Sequence, residues 1–333
     1  MSSEDLLVFD VGGTLLRAGR WSRERAELTD LHSRPAPSFL RDSQATGESL
    51  VEALLAELAE AGREVFSNEV PAAVGLAVPG PVDPQGRLSR APTLWGDRIE
   101  ESVPLGSLAA RTWPNSRVVV ANDVTAAGYR HARSDEALCV VTVSSGIGHK
   151  VFVDGRPVVG PNGRGGELGH WRVDPAPDAP RCDCGRRGHL GALASGRAVA
   201  HHVRSVAKGG EHGPSPWTEL ESAPEALNRA LAASFAGGDP FAREVVRELA
   251  APLGVALAGV HTIVGVERFV ILGGFARALG EPYLELLRDA SRAACWDNGF
   301  DWSGGLELGP ADDNSGLEGM ARLLLAERPE TAP

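Results

Sequence analysis

Asp10-Val11-Gly12-Gly13-Thr14 follows the apolar run Leu6-Leu7-Val8-Phe9, and its residue types suit phosphate chemistry. A carboxylate closes a strand, two glycines turn the chain, and Thr14 adds a hydroxyl where a second strand begins. Backbone N–H groups in such a turn can face an anion. An ordinary glycine hairpin has the same composition. Asp10 gives the chemical reading its force, because a carboxylate beside a phosphate turn is useful when Mg²⁺, direct or water-linked, sits between them. The strand–GxxxxGK[ST]–helix pattern of a P-loop is absent from the chain.

A second constellation is Asn122-Asp123, placed directly after Val118-Val119-Val120. Both residue types are favoured helix N-caps. The C-terminal end of a parallel-type strand is also where α/β folds place ligands. There Asp123 can accept a proton from a hydroxyl whose oxygen attacks phosphorus, while Asn122 orients neighbouring hydroxyls. A third is the loop Gly163 to His170, which delivers Glu167 and His170 three positions apart, on one face of a helix-like turn; it also reads as a polar loop with a structural histidine. Finally, His170, Cys182, Cys184 and His189 offer two nitrogens and two sulfurs, a set suited to closed, structural zinc. Two free thiols and an exposed histidine are the alternative.

These residues need strands to place them. Leu6–Phe9 and Leu15–Ala18 read as strands around the first turn, a third is expected near Glu24–Leu28, and Arg34–Pro37 reads as a connection. Helical spacing of Leu50, Leu54, Leu55, Leu58 and Ala61 predicts a helix ending near Gly62. Ala72–Val78 and Val118–Ala121 are buried strands, and a helix runs from Asn122 to about His131. The pattern then restarts with Leu138–Val143, the turn Ser144-Ser145-Gly146-Ile147-Gly148, and a return strand Val151–Val153. A glycine-turn hairpin in each half is the trace of a duplicated domain that closes on one ligand. Asp174–Arg187 has no periodic pattern; helices follow at Arg197–Ala207, Pro224–Ala236, Phe241–Val264 (bent at Pro252), Pro282–Ala294 and Gly316–Ala326. Arg268–Leu272 reads as a strand ending in Gly273-Gly274. That region and Asp312-Asp313-Asn314-Ser315-Gly316 look like nucleotide-side loops, and the tail Arg328–Pro333 is expected to fray.

At 333 residues, with 43% hydrophobic and 23% charged content, the chain suits a soluble enzyme of two domains. A formal net charge of -11 argues against a nucleic-acid partner. The acidic N-terminus leads into a strand, not a secretory signal. The uncharged stretch Leu249–Val266 contains Pro252, Gly254, Gly259, His261 and Gly265, so a buried helix running into a strand is expected, with no membrane partner. Of the 4 cysteines, Cys182 and Cys184 suggest metal ligation and Cys139 and Cys295 packing, which together predict a cytoplasmic protein.

Taken in order, these motifs resemble the ROK family (repressors, open reading frames and sugar kinases) of the actin-like ATPase superfamily, over nearly the whole chain. The resemblance rests on Asp10–Arg17, Gly75–Asp83, Asn122-Asp123, Ser145–Gly148, Glu167–His170 and Cys182–Leu190. It implies an α/β fold of duplicated, ribonuclease H-like domains with an interdomain active-site cleft. A small domain over 1–122 would carry the C-terminal helix 314–328, and a large domain over 123–313 would hold a zinc loop at 170–190. It further implies an ATP- and Mg²⁺-dependent kinase that phosphorylates the primary hydroxyl of a hexose-like substrate, working as a homodimer.

By the same resemblance Gly80, Thr93, Asn122, Asp123, Glu167 and His170 line the sugar, with Asp123 as general base. Asp10, Gly12, Gly13, Thr14, Ser145, Gly146 and Gly274 approach ATP. Zn²⁺ is held by His170, Cys182, Cys184 and His189, with His170 facing both metal and sugar. Three positions depart from the family pattern: His189 replaces its third zinc cysteine, His149 replaces a glycine and is expected to crowd the second hairpin, and Gly191 replaces a sugar-binding glutamate. Loss of that carboxylate points away from plain glucose and towards an amino sugar or a C7-cyclitol. A non-catalytic, sugar-sensing regulator is the alternative from another class. The family's regulators place a helix-turn-helix before the core, for which the start at Leu6 leaves no room, and retention of Asp10, Asn122 and Asp123 argues for catalysis.

Overall fold

The computed structural model describes residues 3–67, 69–209, 217–219 and 223–327, so the expected frayed tail lies outside the described residues. Its elements in chain order are β1 Leu6–Val11, β2 Leu15–Ser22, β3 Glu27–Pro35, α1 Gly47–Phe66, β4 Ala73–Val78, α2 Pro92–Trp95, α3 Leu105–Thr112, β5 Arg117–Asn122 and α4 Asp123–Tyr129. There follow β6 Ala137–Val143, β7 Ile147–Val153, β8 Arg156–Pro157, α5 Gly191–Ala194, α6 Val199–Gly209, α7 Pro224–Ala236 and α8 Pro240–Val264. The chain continues through β9 Arg268–Leu272, α9 Gly274–Leu279, α10 Glu281–Ala294, α11 Trp302–Gly305, β10 Leu306–Leu308 and α12 Ser315–Ala326. No described helix is long and apolar enough to cross a membrane.

The chain divides into two compact units, one of residues 1–132, 157–165 and 312–333, the other of 133–156 and 166–311. This moves the boundary drawn at residue 122. The reason is α4: it follows β5 and pairs with α12, so it stays with the first unit.

The first unit has the sheet order β3-β2-β1-β4-β5 and the second β10-β9-β6-β7-β8. In each, the first two strands form an antiparallel hairpin and the first also pairs in parallel with a later strand. The same order recurs, as duplication predicts. β1 is apolar on both faces because both are covered. Leu7, Phe9 and Val11 join a core with α1 and α3, while Leu6 and Val8 pack with Leu317, Met320 and Leu324 of α12. In the second unit Cys139, Val141 and Val143 join the long helix α8 in one core.

Three local readings change. β3 begins and ends later than expected and takes in Arg34 and Pro35, because it is an edge strand whose mixed exposure gives no apolar alternation. Arg34 there binds Glu57, Glu60 and Glu64 of α1. α1 runs past Gly62 to Phe66, since Gly62 is a buried packing residue against Leu7 and Trp113 and not a stop. β7 starts directly at Ile147, four residues before the apolar run that marks it in the sequence.

Candidate active site and metal centre

In the first unit, β1, β4 and β5 are parallel and in register, with Asp10 opposite Ala77 and Val78 opposite Asn122. The first turn, Gly80 and Asn122-Asp123 therefore all lie just beyond the C-terminal ends of adjacent strands. Gly12 closes its turn by donating its N–H to the Leu15 carbonyl at 2.8 Å, which leaves Gly13 and Thr14 as the tip. A Cβ on Gly13 would sit 2.9 Å from the Thr93 carbonyl, so the tip lies directly against Thr93.

Asp10 shares the β1 face that α12 covers, and a Cβ on Gly316 would lie 2.5 Å from its Oδ2. Arg17 pairs with that same oxygen, and Asp313 pairs with Arg17 in turn. Burial pushes the Asp10 carboxyl above its ordinary range, and Arg17 offsets only part of that. Sequence reasoning passed over Arg17, yet the hairpin register places it directly opposite Asp10. Asp312 is likewise taken up by Arg130 through two contacts of 2.6 Å, so this acidic loop holds arginines.

Asn122 is an N-cap and more. Its Oδ1 accepts the N–H groups of Val124 (3.1 Å) and Thr125 (3.0 Å). Its Nδ2 donates to the Gly80 carbonyl at 3.1 Å and to Asp123 Oδ1 at 2.8 Å. The Val124 N–H also reaches Asp123 Oδ1 at 2.8 Å. Two donors on one oxygen fix the orientation of the carboxylate. Gly80 has φ +106, and a Cβ there would fall 1.8 Å from the Arg90 carbonyl, so only glycine fits under this amide.

In the second unit Ser144 donates its N–H to the Gly146 carbonyl at 3.0 Å, leaving Ser145 alone at the tip. The segment Ser195–Arg197 braces this turn: Gly196 N–H reaches the Ser144 carbonyl at 2.8 Å, Ser195 Oγ lies 3.0 Å from the Ser145 carbonyl, and Arg197 Nε donates to that same oxygen. Gly274 opens α9 just past β9, whose Leu272 pairs with Thr142, so it lies beyond the same strand ends as Ser145. His149 does not disturb the hairpin, which stays in register through the Val141–His149 pair. Its side chain is buried, and burial pushes the imidazole down to about 4.

Glu167 precedes a short 3-10 turn, Leu168–His170, whose His170 N–H returns to the Glu167 carbonyl at 2.9 Å. Lys150, also passed over in the sequence, lies almost wholly buried beneath it, with Nζ 3.0 Å from Glu167 Oε1. A lysine at the start of the apolar run Val151–Val153 was the available signal.

The ligand atoms of His170, Cys182, Cys184 and His189 all lie within 4.8 Å of one another. Cys182 Sγ is 3.6 Å from His170 Nδ1, and Cys184 Sγ is 3.2 Å from His189 Nδ1. Zn–N near ~2.0 Å and Zn–S near ~2.3 Å put tetrahedral ligand atoms about 3.3–3.8 Å apart, so the donor set fits zinc. Burial first, then the positive charges of His170, Arg186 and Arg172, hold His189 below its ordinary pKa, which favours the neutral, ligating imidazole. None of the 4 cysteines forms a disulfide.

The model of the ROK family matches residues 8–327. A C(7)-cyclitol 7-kinase of Streptomyces hygroscopicus subsp. jinggangensis is 39% identical, over 97% of this chain and 94% of the relative. A glucokinase of Thermotoga maritima is 30% identical, over 85% and 86% respectively. The crystal structure of a ROK hexokinase from Thermus thermophilus superposes with a TM-score of 0.70 at 29% identity, covering 97% of this chain and 100% of that one.

Proposed function

The chain belongs to the ROK family and is a sugar or cyclitol kinase, and from that premise we propose that it transfers the γ-phosphoryl group of ATP to the primary hydroxyl of a C7-cyclitol or similarly altered hexose ring. The single observation that carries the chemistry is the Asp123 carboxylate, held on one oxygen by Asn122 Nδ2 and the Val124 N–H. A general base must be aimed before it is useful, and this one is aimed by its own neighbours. Asp123 takes the hydroxyl proton as the oxygen attacks phosphorus, while Asn122, Gly80, Thr93, Glu167 and His170 bind and orient the ring.

The turns at Gly12–Thr14 and Ser145-Gly146, with Gly274, bind the nucleotide phosphates through backbone N–H groups. Mg²⁺ neutralises charge on the transferring group when bound. Asp10, whose Oδ2 is paired with Arg17, is the carboxylate that would help hold it. His170, Cys182, Cys184 and His189 would hold a structural Zn²⁺ that fixes the 170–190 loop and leaves the other face of His170 for the substrate. The functional unit is a homodimer, which light scattering would check.

Gly191 in place of a carboxylate and the similarity to a C(7)-cyclitol 7-kinase together favour a cyclitol over plain glucose. The test is ADP release across glucose, glucosamine isomers, mannose derivatives and C7-cyclitols. Turnover confined to unmodified glucose would overturn the substrate assignment. Asp123→Asn should lower kcat by about 10²–10⁴-fold while substrate binding stays measurable by calorimetry. Near-normal turnover in that variant would remove the base.

A further inference from the structure

Lys150 is 1% exposed, a degree of burial that lysine tolerates only with partners. Among its partners are the Gly166 carbonyl at 3.2 Å and Glu167 Oε1 at 3.0 Å. The chain is shaped to admit it. Gly166 has φ +81, and a Cβ there would lie 2.6 Å from Lys150 Cδ and 3.0 Å from Nζ. The loop thus gives up a side chain so that an ammonium can lie under the carboxylate that follows.

We propose that Lys150 is a specificity-determining residue: by neutralising Glu167 from beneath, it makes the acceptor subsite select an uncharged ring polyol and reject the same ring carrying an ammonium group. This rests on the reading above that Glu167 binds the acceptor. A lone carboxylate attracts a cationic sugar as readily as it accepts hydrogen bonds from hydroxyls. With Lys150 at Oε1, Glu167 keeps its acceptor capacity for hydroxyls, yet the pair has no net charge with which to hold an amine. An amine brought to the pair also meets the ammonium already there. A Zn²⁺ held by His170, Cys182, Cys184 and His189 would add no compensating charge, since two thiolates would balance it.

The experiment compares kcat/KM for a neutral acceptor, glucose or a C7-cyclitol, with the same ring aminated at each hydroxyl position in turn, at neutral pH and fixed salt. Wild type should favour the neutral ring at least tenfold. Lys150→Met should erase most of that preference, chiefly through KM for the aminated ring. Lys150→Arg should retain it, and Lys150→Met combined with Glu167→Gln should restore it at lower absolute rates. A purely structural lysine would lower both acceptors equally and leave the ratio unmoved, which overturns the proposal. Wild type that uses aminated and neutral rings alike overturns it without any variant, so a misfolded mutant does not protect it. Absence of turnover with every ring tested would instead indict the kinase reading itself.

Discussion

The two hairpins, β1–β2 and β6–β7, have the same place in the same sheet order and are stabilised in different ways. Arg17 and His149 are each the third residue of a return strand. Arg17 stands opposite Asp10 and forms an ion pair within its own hairpin. His149 stands opposite Val141 and is buried without a charge. The first turn therefore carries its own electrostatics, while the second is held from outside by Ser195, Gly196 and Arg197. After duplication, the backbone plan was kept and the means of fixing each turn diverged.

The largest expected disruption of this contrast comes from the metal loop, because the segment that braces the second turn follows it directly. Chelation, or Cys182→Ser, should remove bound zinc, lower Tm and reduce kcat/KM by about tenfold or more. Metal analysis and calorimetry would check this, and an unchanged Tm after zinc removal would contradict it. Next comes His149, whose buried imidazole sits near pKa 4 against an ordinary 6.5. The unfolded chain binds the proton more readily between those values, so stability is complete above about pH 6.5 and falls as pH drops towards 4. The loss is about 3 kcal/mol. His149→Leu should flatten denaturant midpoints measured between those two pH values.

Arg17→Met should leave Asp10 without its cation at a largely buried position, costing about 1–3 kcal/mol of stability. Because burial already raises that carboxyl, the variant's loss should be greatest at neutral pH and shrink in acid as Asp10 protonates. Urea melts at two pH values would show it. The smallest effect is expected for Arg197→Met, where a half-exposed guanidinium supports the Ser145 carbonyl and pairs with the exposed Asp183. KM for ATP should rise about 3–10-fold with kcat nearly unchanged, the equivalent of one modest hydrogen bond. If Arg17→Met raised KM for ATP and left stability alone, the two hairpins would be alike after all.

Motifs defined by short-range chemistry were legible in the sequence. Gly12-Gly13-Thr14, Asn122-Asp123, and the Cys182–His189 run announce themselves because turns, caps and metal ligands act over a few residues. Arg17 and Lys150 were not, because their partners come from cross-strand register and from a loop 16 residues away. Gly62 misled as a helix stop, since a packing glycine and a terminating glycine look alike without the neighbour that fills the space. β10 and α3 gave no signal of their own, being short elements whose burial is decided by the sheets they join. Asn122 both caps α4 through Oδ1 and fixes the Asp123 carboxylate through Nδ2, a double use that the dipeptide alone did not reveal.

The last helix has a bearing on how the protein is made. α12 covers the Leu6 and Val8 face of β1, and a Cβ on Gly319 would fall 1.8 Å from the Ala126 carbonyl of α4. The opening strand therefore has no complete shelter while the chain is still emerging from the ribosome. Its apolar face must wait until α12, about 300 residues further along, has been made, so chaperone demand should be sustained across that whole interval.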